Sequence, residues 1–209
     1  MRIRAFVAAL ALSTSARAQN HAPSSSATDG AAIVAATWEV MMYDHVDIRD
    51  GEWILNAAGL DAGAVARQLA LVLRDPAPSV GVQAAGFLSR IGPKAAEAVS
   101  ALSDGVLDAS NSDLRWVCAL ALGRIGAAAL AATSPLIFAL KDEDPVVRAA
   151  AAVALGRIGN DSALVRQALS AASQDPDAEV RYAAQKALGS TRFPAPPAER
   201  PSKRSGERL

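Results

Sequence analysis

Residues 144–159 read Asp-Pro-Val-Val-Arg-Ala-Ala-Ala-Ala-Val-Ala-Leu-Gly-Arg-Ile-Gly, and this stretch decides the fold. Apolar side chains recur at helical spacing along one face: Val147, Ala151, Leu155 and Ile158. Asp144 is a typical helix-capping residue, Pro145 suits the first helical position, and Gly159 favours termination. The stretch therefore predicts one helix with an apolar stripe directed into a core.

Copies of this stretch recur along the chain, at residues 80–92, 114–126, 147–159 and 180–189. The closing glycines Gly92, Gly126 and Gly159 are 34 and 33 residues apart. Each unit has a second predicted helix, whose inward positions centre on Leu69, Leu102, Leu136 and Leu169. An acidic turn follows each second helix, at Asp75, Asp108, Asp142 and Asp175. The chain is therefore predicted to be built from helical pairs that repeat about every 33 residues.

The Asp/Pro turn, the Val-Arg pair and the Leu-Gly-x-Ile-Gly ending resemble the HEAT-like repeats of the phycobilisome-lyase type. The resemblance covers residues 61–189. It implies an all-α fold, a right-handed α-solenoid of about four to five helical pairs. Residues 31–60 are predicted to form N-terminal capping helices, because the open end of such a stack would otherwise expose apolar surface.

Composition supports the all-α prediction and limits the kinds of partner. Hydrophobic residues make up 51% of the chain and aromatic residues only 4%, so the core must be built from small aliphatic side chains that favour helices. Residues 19–189 contain 13 basic and 19 acidic side chains. Because nucleic-acid binding normally needs a basic surface, we expect no nucleic-acid partner.

Both ends of the chain differ from the repeats. Residues 1–18 have a cationic start, a short apolar run and an Ala-x-Ala ending, as in a signal peptide cleaved after Ala18. An alternative is an Ala-rich helix that packs on the domain. Residues 19–30 are predicted to be a disordered linker, and residues 190–209 a disordered Pro/Arg-rich tail. The predicted location is the periplasm or the cell exterior, with no membrane span.

Arg115, Arg148 and Arg181 occupy the same repeat position, close in sequence to the turn aspartates. They could form a basic row that binds anions. The recurrence of both charges in register favours structural hydrogen bonds between turns and helices instead. Trp116 and Tyr182 follow two of these arginines and suit either a contact surface or packing against a neighbouring loop.

No residue pattern indicates a catalytic, metal or cofactor site. Cys118 occupies a small-residue position and is predicted to be a packed, inert thiol. Of the two histidines, His21 lies in the predicted linker, and His45 is interpreted as a solvated loop residue rather than a metal ligand. Deoxyhypusine hydroxylase, a HEAT-like enzyme, holds two irons with His-Glu pairs, and neither histidine here precedes a glutamate. The chain is therefore predicted to have no enzymatic activity.

The second helices are expected to line the concave face of the solenoid, where such proteins usually bind. Projection of the helical period places these side chains outward: Arg67, Leu71, Ser100, Asp104, Ser134, Phe138, Gln167 and Ala171. Leu71 and Phe138 are the candidate anchors. This surface indicates a non-enzymatic scaffold or adaptor for a protein or peptide. The alternative is a lyase-like helper or enzyme that acts on a bound cofactor, such as the tetrapyrrole that the phycobilin lyases hold.

Export gives the first testable prediction. N-terminal sequencing of the mature protein from its native cell should begin at Gln19 or its cyclised form, because signal peptidase cuts after the small-x-small pair Ala16 and Ala18. An intact Met1 on that protein would contradict the prediction.

Overall fold

The computed structural model describes residues 61–75, 78–108 and 110–189, and these residues form helices and turns without a strand. The α-helices are α1 (Ala62–Val72), α2 (Pro78–Ile91), α3 (Val99–Val106), α4 (Ser112–Ile125), α5 (Thr133–Ala139), α6 (Pro145–Ile158), α7 (Ala163–Ala172) and α8 (Ala178–Leu188). The predicted signal peptide, linker, N-terminal capping helices and C-terminal tail lie outside the described residues.

The helices form two layers. The first helices of the pairs, α2, α4, α6 and α8, pack side by side in chain order. The second helices, α1, α3, α5 and α7, form the other layer and contact one another much less. The described part of the chain therefore contains three complete pairs between a single second helix and a single first helix, which confirms the predicted helical solenoid.

The link inside each pair differs from the simple turn that the sequence suggested. In the first two complete pairs it is a 3₁₀-helix, Gly92–Ala98 and Gly126–Ala132. The φ angles of Gly92 and Gly126 are positive, which reverses the chain, and the alanine-rich residues that follow continue in 3₁₀ turns. In the last pair Ser162 instead caps α7, with its hydroxyl accepting the Val165 N–H.

The first glycine of the Leu-Gly-x-Ile-Gly pattern allows neighbouring first helices to approach closely. A Cβ atom on Gly123 would lie 2.9 Å from Cα of Ala154, and one on Gly156 would lie 2.8 Å from Cβ of Ala187. Real Cβ atoms do not come so near to other heavy atoms. A side chain at either position would push two first helices apart.

The predicted core positions are buried. Relative exposure is at most 2% for the stripe of α6, which consists of Val147, Ala151, Leu155 and Ile158. The central leucines of the second helices are fully buried: Leu69, Leu102, Leu136 and Leu169. Val65, also predicted to face inward, is partly buried against the same core. The helical register derived from the sequence is therefore confirmed.

The stretch Ser112–Ala139 is long and apolar enough to cross a membrane by length and composition. It is not one straight helix, because Gly126 ends α4 with a φ of 71° and α5 begins only at Thr133. The two helices form one repeat pair and bury Leu122 and Leu136 in the shared core. The core of the repeat thus contains part of the apolar residues of this stretch.

The fold predicts a contrast between an inward and an outward substitution. Leu155→Ala should lower the free energy of unfolding by about 2–5 kcal/mol, because it leaves a cavity at a fully buried position. Ser134→Ala, on the exposed side of α5, should change it by less than about 0.5 kcal/mol. Urea titration of both variants measures this difference, and equal losses would contradict the register.

Candidate protein-binding surface

Every side chain of the predicted outward stripe is exposed: Arg67, Leu71, Ser100, Asp104, Ser134, Phe138, Gln167 and Ala171. They lie two to a helix on α1, α3, α5 and α7, and we call this side of the second-helix layer the second-helix face. The largest apolar members, Leu71 and Phe138, expose 75% and 70% of their surface. The ring of Phe138 is therefore mostly in solvent and does not cover a neighbouring helix.

Two members of the stripe are engaged in ion pairs between repeats. Arg67 donates from Nη1 to Oε1 of Glu97 at 2.8 Å, and Arg74 donates to the carboxylate of Asp104. Each pair joins α1 to the next helical unit. Arg67 and Asp104 thus form structural contacts, which the sequence pattern did not identify.

A groove of about 440 Å³ lies between α5 and α7 on the second-helix side. Its lining consists of Ile137, Leu140, Lys141, Leu164, Gln167, Ala168, Ala171, Ala172 and Asp175. The alanines leave space beside the short helix α5, while Ile137 and Leu164 supply larger apolar walls. Of the predicted stripe, Gln167 and Ala171 line the groove.

Ile137 and Leu164 are groove residues that sequence reasoning missed. Leu164 exposes 59% of its surface and Ile137 is half-buried. Each stands beside a fully buried apolar residue, Val165 and Leu136 respectively. Two consecutive residues of a helix point about 100° apart, so the second residue of such a pair can lie at the edge of the buried stripe. The adjacent apolar pairs Leu136-Ile137 and Leu164-Val165 were therefore the sequence signal from which these groove residues could have been found.

Two members of the arginine row, Arg115 and Arg148, form a ladder of largely buried bidentate ion pairs, which we call forks. Arg148 donates from Nε and Nη2 to the two carboxylate oxygens of Asp175, both at 2.9 Å. Arg115 holds Asp142 in the same way, at 2.8 and 2.9 Å. Each fork reaches from a first helix to the acidic turn that precedes the next first helix. The structural explanation is confirmed for Arg115 and Arg148.

The same arginines also hold the turn that precedes their own helix. Nη1 of Arg148 donates to the carbonyl oxygens of Asp142 and Glu143 at 2.9 and 3.1 Å. Nη1 of Arg115 donates to the carbonyl oxygen of Asp108 at 3.1 Å. One side chain therefore fixes two successive turns, and the hydrogen bonds from Arg148 lower the pKa of Asp175.

The arginine–aspartate pair is missing in the most diverged repeat, because Gly81 occupies the arginine position. A Cβ atom there would lie 2.9 Å from the carbonyl oxygen of Leu73, so any side chain would displace the backbone. Asp108, the acceptor expected for that pair, instead accepts from the backbone N–H and hydroxyl of Ser110. Close packing of α1 on α2 replaces the ion pair.

The remaining candidate side chains do not form a reactive cluster in the described ranges. Cys118 is fully buried, and burial raises the pKa of its thiol to about 12, as expected for a packed thiol. Trp116 and Tyr182 expose 37% and 62% of their surface. Residues 61–75, 78–108 and 110–189 contain no group of three potential metal ligands. His21 and His45 lie outside these ranges.

The charge of the repeats differs from that of residues 19–189 as a whole. Residues 61–189 contain 12 basic and 13 acidic side chains, so the repeats are almost neutral. Six of the acidic residues counted earlier lie between residues 29 and 52. The acidity of residues 19–189 therefore belongs to the segment before the repeats, and the expected absence of a nucleic-acid partner stays a prediction.

The known proteins to which this chain is similar have repeat architectures. The family of HEAT repeats matches residues 133–198. A designed armadillo repeat protein in complex with the peptide (KR)4 has a TM-score of 0.60 and 21% identity, over 92% of this chain and 85% of that one. The complex of CpcE and CpcF of phycocyanin lyase from Nostoc sp. PCC7120 is also similar. Its TM-score is 0.54 at 19% identity, over 76% of this chain and 99% of that chain.

A third similar structure is of computationally designed armadillo repeat proteins for modular peptide recognition. Its TM-score is 0.58 at 23% identity, over 79% of this chain and 76% of that chain. No curated protein matches the sequence. At these identities the similarity establishes an armadillo/HEAT-type fold.

The ladder predicts a dependence of stability on pH. Because the pKa of Asp175 is lower in the folded protein, its contribution is present above the unfolded value of about 3.9 and is lost as pH falls through the folded value. Asp175→Asn should cost about 3 kcal/mol at pH 7, since it leaves Arg148 without its carboxylate. The difference from wild type should shrink below about pH 4.

A matched control is Asp104→Asn, which breaks an ion pair whose side chains are 75% and 53% exposed. This exposed pair should contribute less than about 1 kcal/mol. Urea titrations at pH 7 and pH 3 compare both variants with wild type. A loss at Asp175 no larger than that at Asp104 would contradict the structural role of the ladder.

Proposed function

Because the chain is a HEAT-repeat protein with an armadillo/HEAT-type solenoid fold, we propose that it is an exported, non-enzymatic scaffold that binds a protein or peptide. The binding site is the second-helix face around the groove between α5 and α7. The observation that carries this proposal is the exposure of Phe138 and Leu164, at 70% and 59%, on the two helices that form the groove.

Exposed apolar groups beside a groove favour a partner that inserts side chains there. Binding energy at protein interfaces concentrates in a few large apolar or aromatic residues that become desolvated. Phe138 supplies such a ring, while Ile137 and Leu164 supply apolar walls within the groove. Lys141 lies at its border and adds a cation for polar or acidic groups of the partner.

The architecture of similar proteins supports the same class of partner. Two of the similar structures are designed armadillo proteins, one bound to a peptide and one made for modular peptide recognition. A stack of helical pairs presents a long surface whose outward residues vary without disturbing the core. An extended peptide or a helix of another protein fits this kind of surface.

The non-enzymatic part of the proposal is supported by the chemistry of the described residues. The thiol of Cys118 is buried and its pKa is raised, so little thiolate forms at neutral pH. The carboxylates of Asp142 and Asp175 are held by arginines in the ladder. Export rests on the signal-peptide pattern of residues 1–18.

Phe138→Ala tests the proposed binding face. The variant should capture at least about ten-fold less partner from envelope fractions, as expected for the loss of an anchor residue. Its melting temperature should stay within about 2 °C of wild type, because the ring is mostly exposed. Quantitative mass spectrometry of the captured proteins and thermal unfolding measure the two effects.

The matched control is Val146→Ala, which truncates another exposed apolar side chain at the start of the first helix α6. This variant should capture the partner as wild type does. Undiminished capture by Phe138→Ala, or a fall in its stability that parallels the lost capture, would contradict the assignment of Phe138 as an anchor.

A further inference from the structure

The arginine ladder ends at Arg181 with an unused fork. Nη1 of Arg181 donates to the carbonyl oxygens of Asp175 and Pro176, both at 2.8 Å. Nε and Nη2 have no acceptor among the described residues. These are the atoms that hold a carboxylate in the two preceding repeats.

The position of the Arg181 guanidinium is fixed by the same contacts that fix Arg148. In both residues Nη1 bridges two consecutive carbonyl oxygens of the turn before the helix. In Arg148 this arrangement leaves Nε and Nη2 directed at Asp175, which they bind in bidentate geometry. Arg181 is therefore preorganised for a planar group with two acceptor oxygens.

The surface of α8 lacks the small buried residue with which one first helix packs on the next. Ala119 and Ala152 are fully buried where one first helix meets the next. The equivalent residue of α8 is Gln185, which is exposed, as is the adjacent Lys186. A polar outer face of this kind is typical of a terminal repeat.

The register of the sequence also bears on the partner of Arg181. The carboxylate lies 27 residues after the arginine in both complete rungs, Arg115 to Asp142 and Arg148 to Asp175. The same interval from Arg181 leads to Arg208, a cation. At this interval the sequence therefore offers no carboxylate to Arg181.

We propose that Arg181 is a binding site for a carboxylate, either an acidic side chain or the C-terminus of a peptide or protein. The ligand would be held by Nε and Nη2 in the geometry of the Arg148–Asp175 pair. Tyr182, the next residue of α8, has an exposed ring, with the ammonium group of Lys186 5.9 Å from its centroid. This proposal is independent of the groove and stands even if Phe138 binds nothing.

The test uses the full chain labelled with ¹⁵N and follows the arginine Nε–Hε resonances during titration with sodium acetate. Sodium chloride at equal ionic strength is the control. Arg115 and Arg148 give the reference for a bound fork. Arg124 and Arg157, which are exposed and form no ion pair among the described residues, give the reference for a free one. Acetate should shift the Nε–Hε resonance of Arg181 towards the position of the bound reference. This shift should occur at an acetate concentration about ten-fold lower than the one that shifts the resonances of Arg124 and Arg157.

Arg181→Lys keeps the positive charge but removes the Nε and Nη2 donors. In this variant the resonance that responds at low acetate should be absent, while the resonances of the other arginines keep their positions. An Arg181 resonance at the bound reference before acetate is added also supports the proposal. Its loss in the Glu199→Gln/Glu207→Gln variant would assign the carboxylate to the C-terminal tail, and its loss on dilution would assign it to a second molecule. If Arg181 responds to acetate like Arg124 and Arg157, the proposal is overturned.

Discussion

The close approach of neighbouring first helices is the constraint on which the rest of the structure depends. At Gly123 and Gly156 the next helix lies where a Cβ atom would otherwise be. Such contacts require small residues on both sides, here Ala154 and Ala187, which explains a core rich in alanine and poor in aromatic rings. Because the first helices carry the tight contacts, the second helices are free to be shorter and more loosely packed. The groove between α5 and α7 is a consequence of that difference.

The arginine ladder adds direction to this packing. Apolar contacts between helices are not directional, whereas a bidentate ion pair accepts only one geometry. Arg148 fixes both its own turn and the turn of the next repeat, so it sets the offset between two units. The burial of these charges has a desolvation cost, which the pairing and the backbone contacts offset. The ladder therefore contributes to register more clearly than to net stability.

Structural features that recur at fixed spacing could be predicted from the sequence, whereas features without a periodic signal could not. The stripe of α6 and the fork of Arg148 recur at fixed spacing, so their burial and pairing followed from the pattern. The 3₁₀ links did not, because Gly92 and Gly126 signal only that a helix ends. The pairing of Arg74 with Asp104 occurs in only one of the described repeats, and no periodic signal marks it. The groove depends on the separation of two helices, which the residues of neither helix determine alone.

The contrast between repeating and non-repeating positions also bears on function. The central inward position of the second helices is leucine in α1, α3, α5 and α7, since the core makes the same demand of each unit. At the outward position two residues later, the chain has Leu71, Asp104, Phe138 and Ala171. The fold imposes no common requirement there, because all four side chains are exposed. A phenylalanine left mostly in water has no role in the core, and burial against a partner would recover the hydrophobic free energy that folding leaves unused. At Leu71, Phe138 and Ala171 the architecture therefore leaves the residue type free, as the proposed binding surface requires.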